Sequence, residues 1–204
     1  MSQLRAALTM VAKLPSGRER NQRELLLQTA LGAAIMATQG MGAPEIESIF
    51  SRAGELCREV GETPELFRVL QGLGVFYAMR LKLVTAEELL ERWRRLAEKL
   101  THPAFLPQAQ IAHGHFLLAR GDVVGARAEL EQGMARYDPR QHHTLAFGAG
   151  LDPSGRDHAA LVLWLLGHPD RALSSLRESL AFAETRPHPF GLAVGQIFAA
   201  MLHQ

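Results

Sequence analysis

The chain has 204 residues, of which 47% are hydrophobic and 21% charged, and its formal net charge at pH 7 is +1. This length suits one domain or a short repeat array, and the balanced charge excludes recruitment of nucleic acid or anionic lipid by a global positive field. The single cysteine excludes an intrachain disulfide, and the longest strongly apolar run, from Ala159 to Gly167, is far short of a membrane span. These features lead us to expect a cytoplasmic protein.

Almost every segment has the composition of a helix, because Leu, Ala, Arg, Glu and Gln dominate and alternating β-branched patterns are nearly absent. Proline and glycine clusters divide the chain into about ten helices. In chain order we predict an extra helix at 2–14, three helical hairpins at about 20–61, 64–101 and 104–136, an insertion at 137–152, a fourth hairpin at about 153–186, and an extra helix at 189–203.

The hairpins form an internal repeat. A small residue recurs in each first helix, at intervals of 42, 40 and 46 residues, namely at Gly32, Gly74, Gly114 and Ala160. Each second helix carries a set of apolar or small residues at spacings of four and three: Ile46/Phe50/Ala53, Ala86/Leu90/Trp93, Ala126/Leu130/Gly133 and Ala172/Leu176/Ser179. We expect the small residues to let the paired helices approach closely, and neighbouring hairpins to bury one another's apolar faces.

The predicted fold is all-α: a right-handed α-α superhelix, or solenoid, of about four helical hairpins with an extra helix at each end. A HEAT-type array remains an alternative, because its repeat length also fits.

Two stretches resemble tetratricopeptide (TPR) repeats: "AHGHFLLARGDVVGARAELEQGM" from Ala112 and "AALVLWLLGHPDRALSSLRES" from Ala159. Gly121 and Gly167 stand where the family places its turn. The unit is longer than the usual ~34 residues. The segments "LLLQTALGAAIMATQGMGAPEIE", "TPELFRVLQGLGVFY", "YDPRQHHTLAFGAGLDP" and "HPFGLAVGQIFAAMLHQ" are similar to the C-terminal arrays of bacterial signalling proteins.

In those proteins a nucleotide cyclase or protein kinase domain and a STAND-type P-loop ATPase precede the array. The chain itself contains no G-x-x-x-x-G-K-[ST] motif. The resemblance therefore implies a sensor or interaction region that regulates an attached ATPase or cyclase, and we expect this chain to be part of a longer protein.

We predict a non-enzymatic module that binds a peptide, partner domain or effector in a concave groove, without cofactor, metal, nucleic acid or membrane. The residues predicted to face this groove are Arg68, Gln71, Val75, Met79, Gln108, His115, Asp157 and Trp164. No catalytic residues are predicted. The alternative is a purely structural scaffold, or self-association into a homo-oligomer through the end helices.

The insertion carries histidines that raise a further alternative, an enzyme or metal site built on residues 137–158. Its ligands would be His142, His143 and His158 with Asp152 or Asp157. Adjacent histidines on an irregular segment rarely converge on one ion, so an ordered insertion is the preferred interpretation. Within it, we expect Leu145 and Phe147 to pack against the array.

Five further side chains have simpler interpretations. His113 and His115 lie about 200° apart around their helix, so they cannot share an ion, and we expect one to be packed and the other presented. Trp93 and Trp164 sit in apolar faces and are predicted core residues. Cys57 is predicted to be a small buried hydrophobe.

Overall fold

A computed structural model describes residues 1–40, 42–60, 64–138, 155–185 and 189–203. This part of the chain is helical and contains no β-strand, which confirms the all-α prediction. The ten helices it contains are α1 (Ser2–Val11), α2 (Arg18–Gln39), α3 (Glu45–Val60), α4 (Pro64–Met79), α5 (Leu83–Lys99), α6 (Phe105–Arg120), α7 (Val123–Arg136), α8 (Arg156–Leu165), α9 (Pro169–Glu184) and α10 (Pro189–Leu202). Most of the predicted insertion, with its histidines and the segment around Phe147, lies outside the described residues.

The helices form two compact units, Met1–Leu100 and Thr101–Gln204. In the first unit, α2 pairs with α3 and α4 with α5, while α4 also packs on both α2 and α3. In the second unit, α6 pairs with α7 and α8 with α9; α8 packs on α7, and α10 packs on α8 and α9. We call α2, α4, α6 and α8 the first helices, and α3, α5, α7 and α9 the second helices. Each unit is thus built of stacked helical hairpins.

The recurring glycines lie where paired helices touch. A Cβ atom added to any of them would fall within 3 Å of a large side chain on the second helix, much closer than real Cβ contacts. The pairs are Gly32 with Phe50 at 2.6 Å, Gly74 with Leu90 at 2.8 Å, and Gly114 with Leu130 at 2.6 Å. The partner is in each case the middle residue of the predicted second-helix set, so the repeat register describes real packing.

The turn inside three of the hairpins has one geometry. Gly121 and Gly167 adopt the left-handed conformation, with φ of 90° and 80°, and end their first helices. The backbone N–H of the residue after each glycine donates to a carbonyl in the last turn of the helix. Asp122 donates to Leu117 in one hairpin and His168 donates to Leu163 in the other, both at 2.9 Å. Leu81, with φ of 57°, occupies the same position between α4 and α5, so the turn that lacks glycine in the sequence keeps its shape.

The cores consist of large apolar side chains contributed by successive helices. In the first unit, Trp93 is fully buried and its ring lies 5.0 Å from that of Phe67, as predicted for a core tryptophan. In the second unit, Ile111, Leu130 and Val162 bring α6, α7 and α8 together. No helix among the described residues is both long and apolar enough to cross a bilayer.

Candidate functional site

The first unit carries a stripe of predicted groove residues along α4. Arg68, Gln71, Val75 and Met79 follow one another at spacings of three, four and four, so they lie on one side of the helix. Arg68 and Met79 are exposed, with Met79 at 62%, whereas Gln71 and Val75 are half-buried. The Oε1 atom of Gln71 is shielded from solvent and accepts no hydrogen bond. The stripe therefore combines a cation, an unsatisfied acceptor and an exposed apolar side chain.

In the second unit the remaining predicted residues differ in exposure. Gln108 on α6 is half-buried, and its Oε1 atom lacks a donor in the same way as that of Gln71. Trp164, at the end of α8, is 38% exposed, so it is less buried than a core assignment requires. Part of this side chain therefore lies at the surface.

Asp157 is buried, with only 2% of its surface exposed. It lies in the first turn of α8, where its Oδ1 atom accepts hydrogen bonds from the backbone N–H of His158 at 2.8 Å and pairs with the Nδ1 atom of that residue at 2.9 Å. Burial alone would raise the pKa of Asp157, but the hydrogen bonds from His158 and the two nearby imidazoles outweigh burial and lower this pKa below its usual value. The carboxylate thus orients His158 and is not presented at the surface.

His115 reaches from α6 to the same place. Its ring stacks on that of His158, with 3.6 Å between centroids and 20° between planes. The ring of Phe198, on α10, lies 4.7 Å from His158 on a tilted plane. The Nε2 atom of His115 is shielded and has no hydrogen-bond partner in the part of the chain that the structure describes. Burial, followed by the charge of His158, lowers the pKa of His115 well below its usual value, so the ring is neutral at pH 7.

The side chains of His115, Asp157 and His158 offer two nitrogens and an oxygen, all within 4.8 Å of one another. A metal ion binds imidazole along the in-plane lone pair of a nitrogen, and the lone pairs of two nearly parallel rings do not converge on one point. An ion held by both histidines would therefore require one ring to leave the stack. His142, His143 and Asp152, the other ligands considered from the sequence, lie outside the described residues.

The trio also lacks the parts of a nucleophilic site. Among the described residues, no serine, threonine or cysteine hydrogen-bonds to Asp157 or His158. His113, two residues before His115, faces Glu129 of α7 instead, with its Nδ1 atom 3.4 Å from a carboxylate oxygen. Both histidines of α6 are half-buried, so the expected division into one packed and one presented ring does not describe them.

The His115–His158 stack and its contact with Phe198 were not predicted from the sequence. His115 and His158 are 43 residues apart, and neither belongs to the repeating small-residue pattern. One sequence signal does link them. Both histidines lie on first helices, close to the equivalent repeat positions Gly114 and Ala160, which indicates that they lie on the same side of the array.

No family model matches the chain, and no curated protein matches it. Among solved structures, the chain is similar to crystal structures of nearly identical TPR-like repeats from a Podosopora anserina protein described as a kinesin light chain. One has a TM-score of 0.59 at 19% identity and covers 88% of this chain and 85% of that chain. A single-substitution variant of the same protein has a TM-score of 0.57 at 18% identity, and the match covers 88% of this chain and 92% of that chain. The predicted TPR-like helical-repeat fold is thereby confirmed.

Proposed function

We propose that this chain is a non-enzymatic protein–protein interaction module that binds peptide segments or partner domains through the exposed sides of its first helices. The observation that carries the proposal is the α4 stripe of Arg68, Gln71, Val75 and Met79. Met79 is a large apolar side chain left in water, and the shielded Gln71 carbonyl oxygen lacks a donor. A bound peptide backbone supplies N–H groups, and its side chains cover the apolar atoms.

The second unit supports the same proposal with the unsatisfied Gln108 and the half-exposed Trp164. Aromatic side chains with one open face are enriched at protein interfaces. We assign the buried Asp157 and the stacked His115 to holding α6, α8 and α10 in place, so that the binding role in this unit falls to Gln108 and Trp164.

The biological setting is also a proposal. The sequence resemblance to the arrays of bacterial cyclase and STAND ATPase proteins supports a sensor role, in which binding of a partner or effector regulates an attached domain in the cytoplasm. We propose no cofactor for this module. We also propose no nucleic-acid ligand, because the chain is nearly neutral overall.

The test is a selection of random peptides displayed on phage against the immobilised protein. We expect peptides enriched on the wild type to lose binding to the double variant Arg68→Glu/Met79→Glu. The control is Arg95→Glu/Val84→Glu, which likewise replaces one exposed arginine and one exposed apolar residue by glutamate, on α5. Equal binding of the enriched peptides to both double variants would remove the groove assignment, and failure to enrich any peptide would remove peptide binding altogether.

A second candidate function is self-association through α10. Ile197 and Met201, four residues apart on one side of this helix, are 58% and 48% exposed, while Leu202 is buried in the core. Such a face normally has a neighbour. If a second copy covers it, light scattering will show a mass that rises with concentration and returns to that of one chain in Ile197→Lys. A constant monomer mass over a wide concentration range would exclude this function.

A further inference from the structure

Gly54 differs from the other glycines within the described helices. Each of the other helical glycines whose surroundings the structure describes, including Gly32, Gly72 and Gly114, would bring an added Cβ atom within 3 Å of another side chain. At Gly54, in the middle of α3, the nearest atom is Cγ1 of Val69 at 3.8 Å, an ordinary van der Waals distance. Packing therefore does not require glycine here, although glycine weakens a helix interior. Its absent side chain leaves space instead.

That space is a crevice of about 280 Å³ in the first unit, which we call the Gly54 crevice. Leu66, Leu70 and Leu73 of α4 form its apolar floor, and Leu89 of α5 forms part of its wall. Small-molecule pockets usually begin at about 300 Å³ and enclose their ligand. A crevice at this lower limit, open between helices, suits one or two aliphatic side chains of another protein.

The rim of the crevice is positively charged. Arg58 of α3 and Arg92 of α5 both line it and are both exposed, and neither forms an ion pair within the described residues. Glu55, the one acidic residue of the lining, already accepts a hydrogen bond from Arg52 at 3.0 Å. Two unpaired guanidinium groups beside an apolar floor favour an aliphatic side chain with carboxylates on either side.

The second unit offers a built-in comparison. A smaller cavity of about 150 Å³ lies between α7, α8 and α9. In the repeat register, Met134 stands there at the position that corresponds to Gly54, and it lines the cavity. Arg127 of that lining is already bonded to Glu131 at 2.8 Å. The second unit thus has a methionine in place of the glycine, and of its two lining arginines Arg127 is paired, whereas Arg171 forms no ion pair within the described residues.

We propose that the Gly54 crevice is a docking site for an acidic amphipathic segment of a partner protein. The segment would insert a leucine-like side chain over Leu66, Leu70 and Leu73, and place flanking carboxylates on Arg58 and Arg92. This surface is distinct from the proposed groove. Leu66, Leu70 and Leu73 lie on the opposite side of α4 from Arg68 and Val75, given about 100° per residue. The inference therefore stands independently of the proposed function.

Three six-residue peptides with blocked ends test the proposal: two leucines flanked by glutamates, two leucines flanked by lysines, and two serines flanked by glutamates. Each is titrated into the ¹⁵N-labelled chain and followed by NMR. We expect saturable shifts of the Gly54, Leu89 and Arg92 amides with the first peptide only, with a Kd of about 1 mM or tighter. Raising the salt concentration should weaken this binding, because the charged contacts are exposed.

Two substitutions at one position give a matched control. Gly54→Met introduces the side chain that the second unit carries and should weaken binding about tenfold, as should Arg58→Glu. Gly54→Ala adds only a methyl group in open space and should retain binding. A thermal melt of each variant confirms that it is folded.

Several results would overturn the proposal. These are equal binding by Gly54→Met and Gly54→Ala, equal binding of the lysine or serine peptide, shifts confined to Arg68 and Gln71 on the other side of α4, or no saturable shift at all. Shifts of the crevice amides on concentrating the protein alone would assign the site to a second copy of the chain and would also overturn it.

Discussion

The imidazole rings of His115 and His158 lie face to face, 3.6 Å apart, and connect α6 to α8. The Nδ1 atom of His158 lies 2.9 Å from the Oδ1 atom of the buried Asp157 carboxylate, whereas the Nε2 atom of His115 has no hydrogen-bond partner within the described residues. Charging both rings would place two cations in contact, in a site shielded from water. The stack therefore accommodates one charged ring at most.

Stability should consequently fall in mild acid. The pKa of His115 is depressed in the folded chain, so the unfolded chain, with an ordinary pKa of about 6.5, binds the proton first as the pH falls. The free energy of unfolding is then highest above this value and should decrease by about 1 kcal/mol between pH 7 and pH 5.5 from this residue alone. Urea denaturation of wild type and His115→Phe across this range measures the contribution.

The phenyl ring of His115→Phe can stack but cannot take a proton, so this variant should lose that part of the pH dependence. His168→Gln serves as the control, because His168 is exposed at the start of α9. Identical pH profiles for wild type and His115→Phe would contradict the assignment. The paired Asp157 affects stability in a separate pH range. Because its pKa is lowered in the folded chain, the stability that it contributes is lost only as the pH falls below its ordinary pKa of about 3.8.

Two glycines in the middle of helices, Gly114 and Gly54, should respond in opposite ways to substitution. In Gly114→Leu, the added atoms must displace Leu130, whose Cγ atom lies 2.6 Å from the first of them, and we expect a cost of about 1–3 kcal/mol in the free energy of unfolding. Gly54→Ala meets no such neighbour and should gain about 0.5–1 kcal/mol from helix propensity. Urea denaturation measures both, and a Gly114→Leu variant as stable as wild type would show that the helices are not in contact there.

Leu81 is a strained substitute for glycine. A non-glycine residue at φ of 57° costs roughly 1–2 kcal/mol, and Leu81 recovers little by burial because it is 75% exposed. Replacing Leu81 by glycine removes this strain, but part of the gain in stability is offset by the greater freedom of glycine in the unfolded chain. We therefore expect Leu81→Gly to raise the free energy of unfolding by about 0.5–1 kcal/mol. Leu83→Gly, at the first residue of α5, removes a partly buried apolar side chain without relieving strain and should lower the free energy of unfolding. A destabilised Leu81→Gly would indicate that the leucine side chain contributes contacts that outweigh the backbone strain.

Cys57 should be inert in the folded chain. The thiol is 2% exposed, and burial, followed by the charge of Glu65, raises its pKa to about 11. A free thiol has a pKa of about 8.5, so at pH 8 the thiolate fraction falls roughly a hundredfold or more on folding. We expect an aromatic disulfide reagent to label Cys57 only as fast as the chain opens, and at once in denaturant. Rapid labelling of the native protein would contradict this.

The sequence predicted much of the fold, because the fold depends on repeated local patterns. The interval between Gly32, Gly74 and Gly114 identified the contacts between helices, since a glycine opposite a large residue leaves a periodic mark in the sequence. Gly121 and Gly167 located two turns for the same reason. Leu81 shows the limit of this reasoning, because the surrounding helices impose a left-handed turn on a residue that does not favour it.

The candidate sites were less accessible to prediction. Periodicity assigns a side of a helix but not the depth of a side chain, so Asp157 was predicted to face the groove although its carboxylate is buried against His158. The pairing of His115 with His158 depends on rotamers and on the angle between two helices. The Gly54 crevice depends on an absent side chain and on two arginines that form no ion pair among the described residues, and the sequence marks neither feature as unusual.

In both units, the principal helix contacts connect elements one or two places apart along the chain. Little chain entropy is lost in closing such short loops, so folding should be fast, on the millisecond scale or below. Because the contacts are local, a terminal helix can also detach while the other helices keep their partners. Amide exchange should therefore be fastest in α1, which buries no residue, and slowest in α4, where Phe67, Val69 and Phe76 are sealed on several sides.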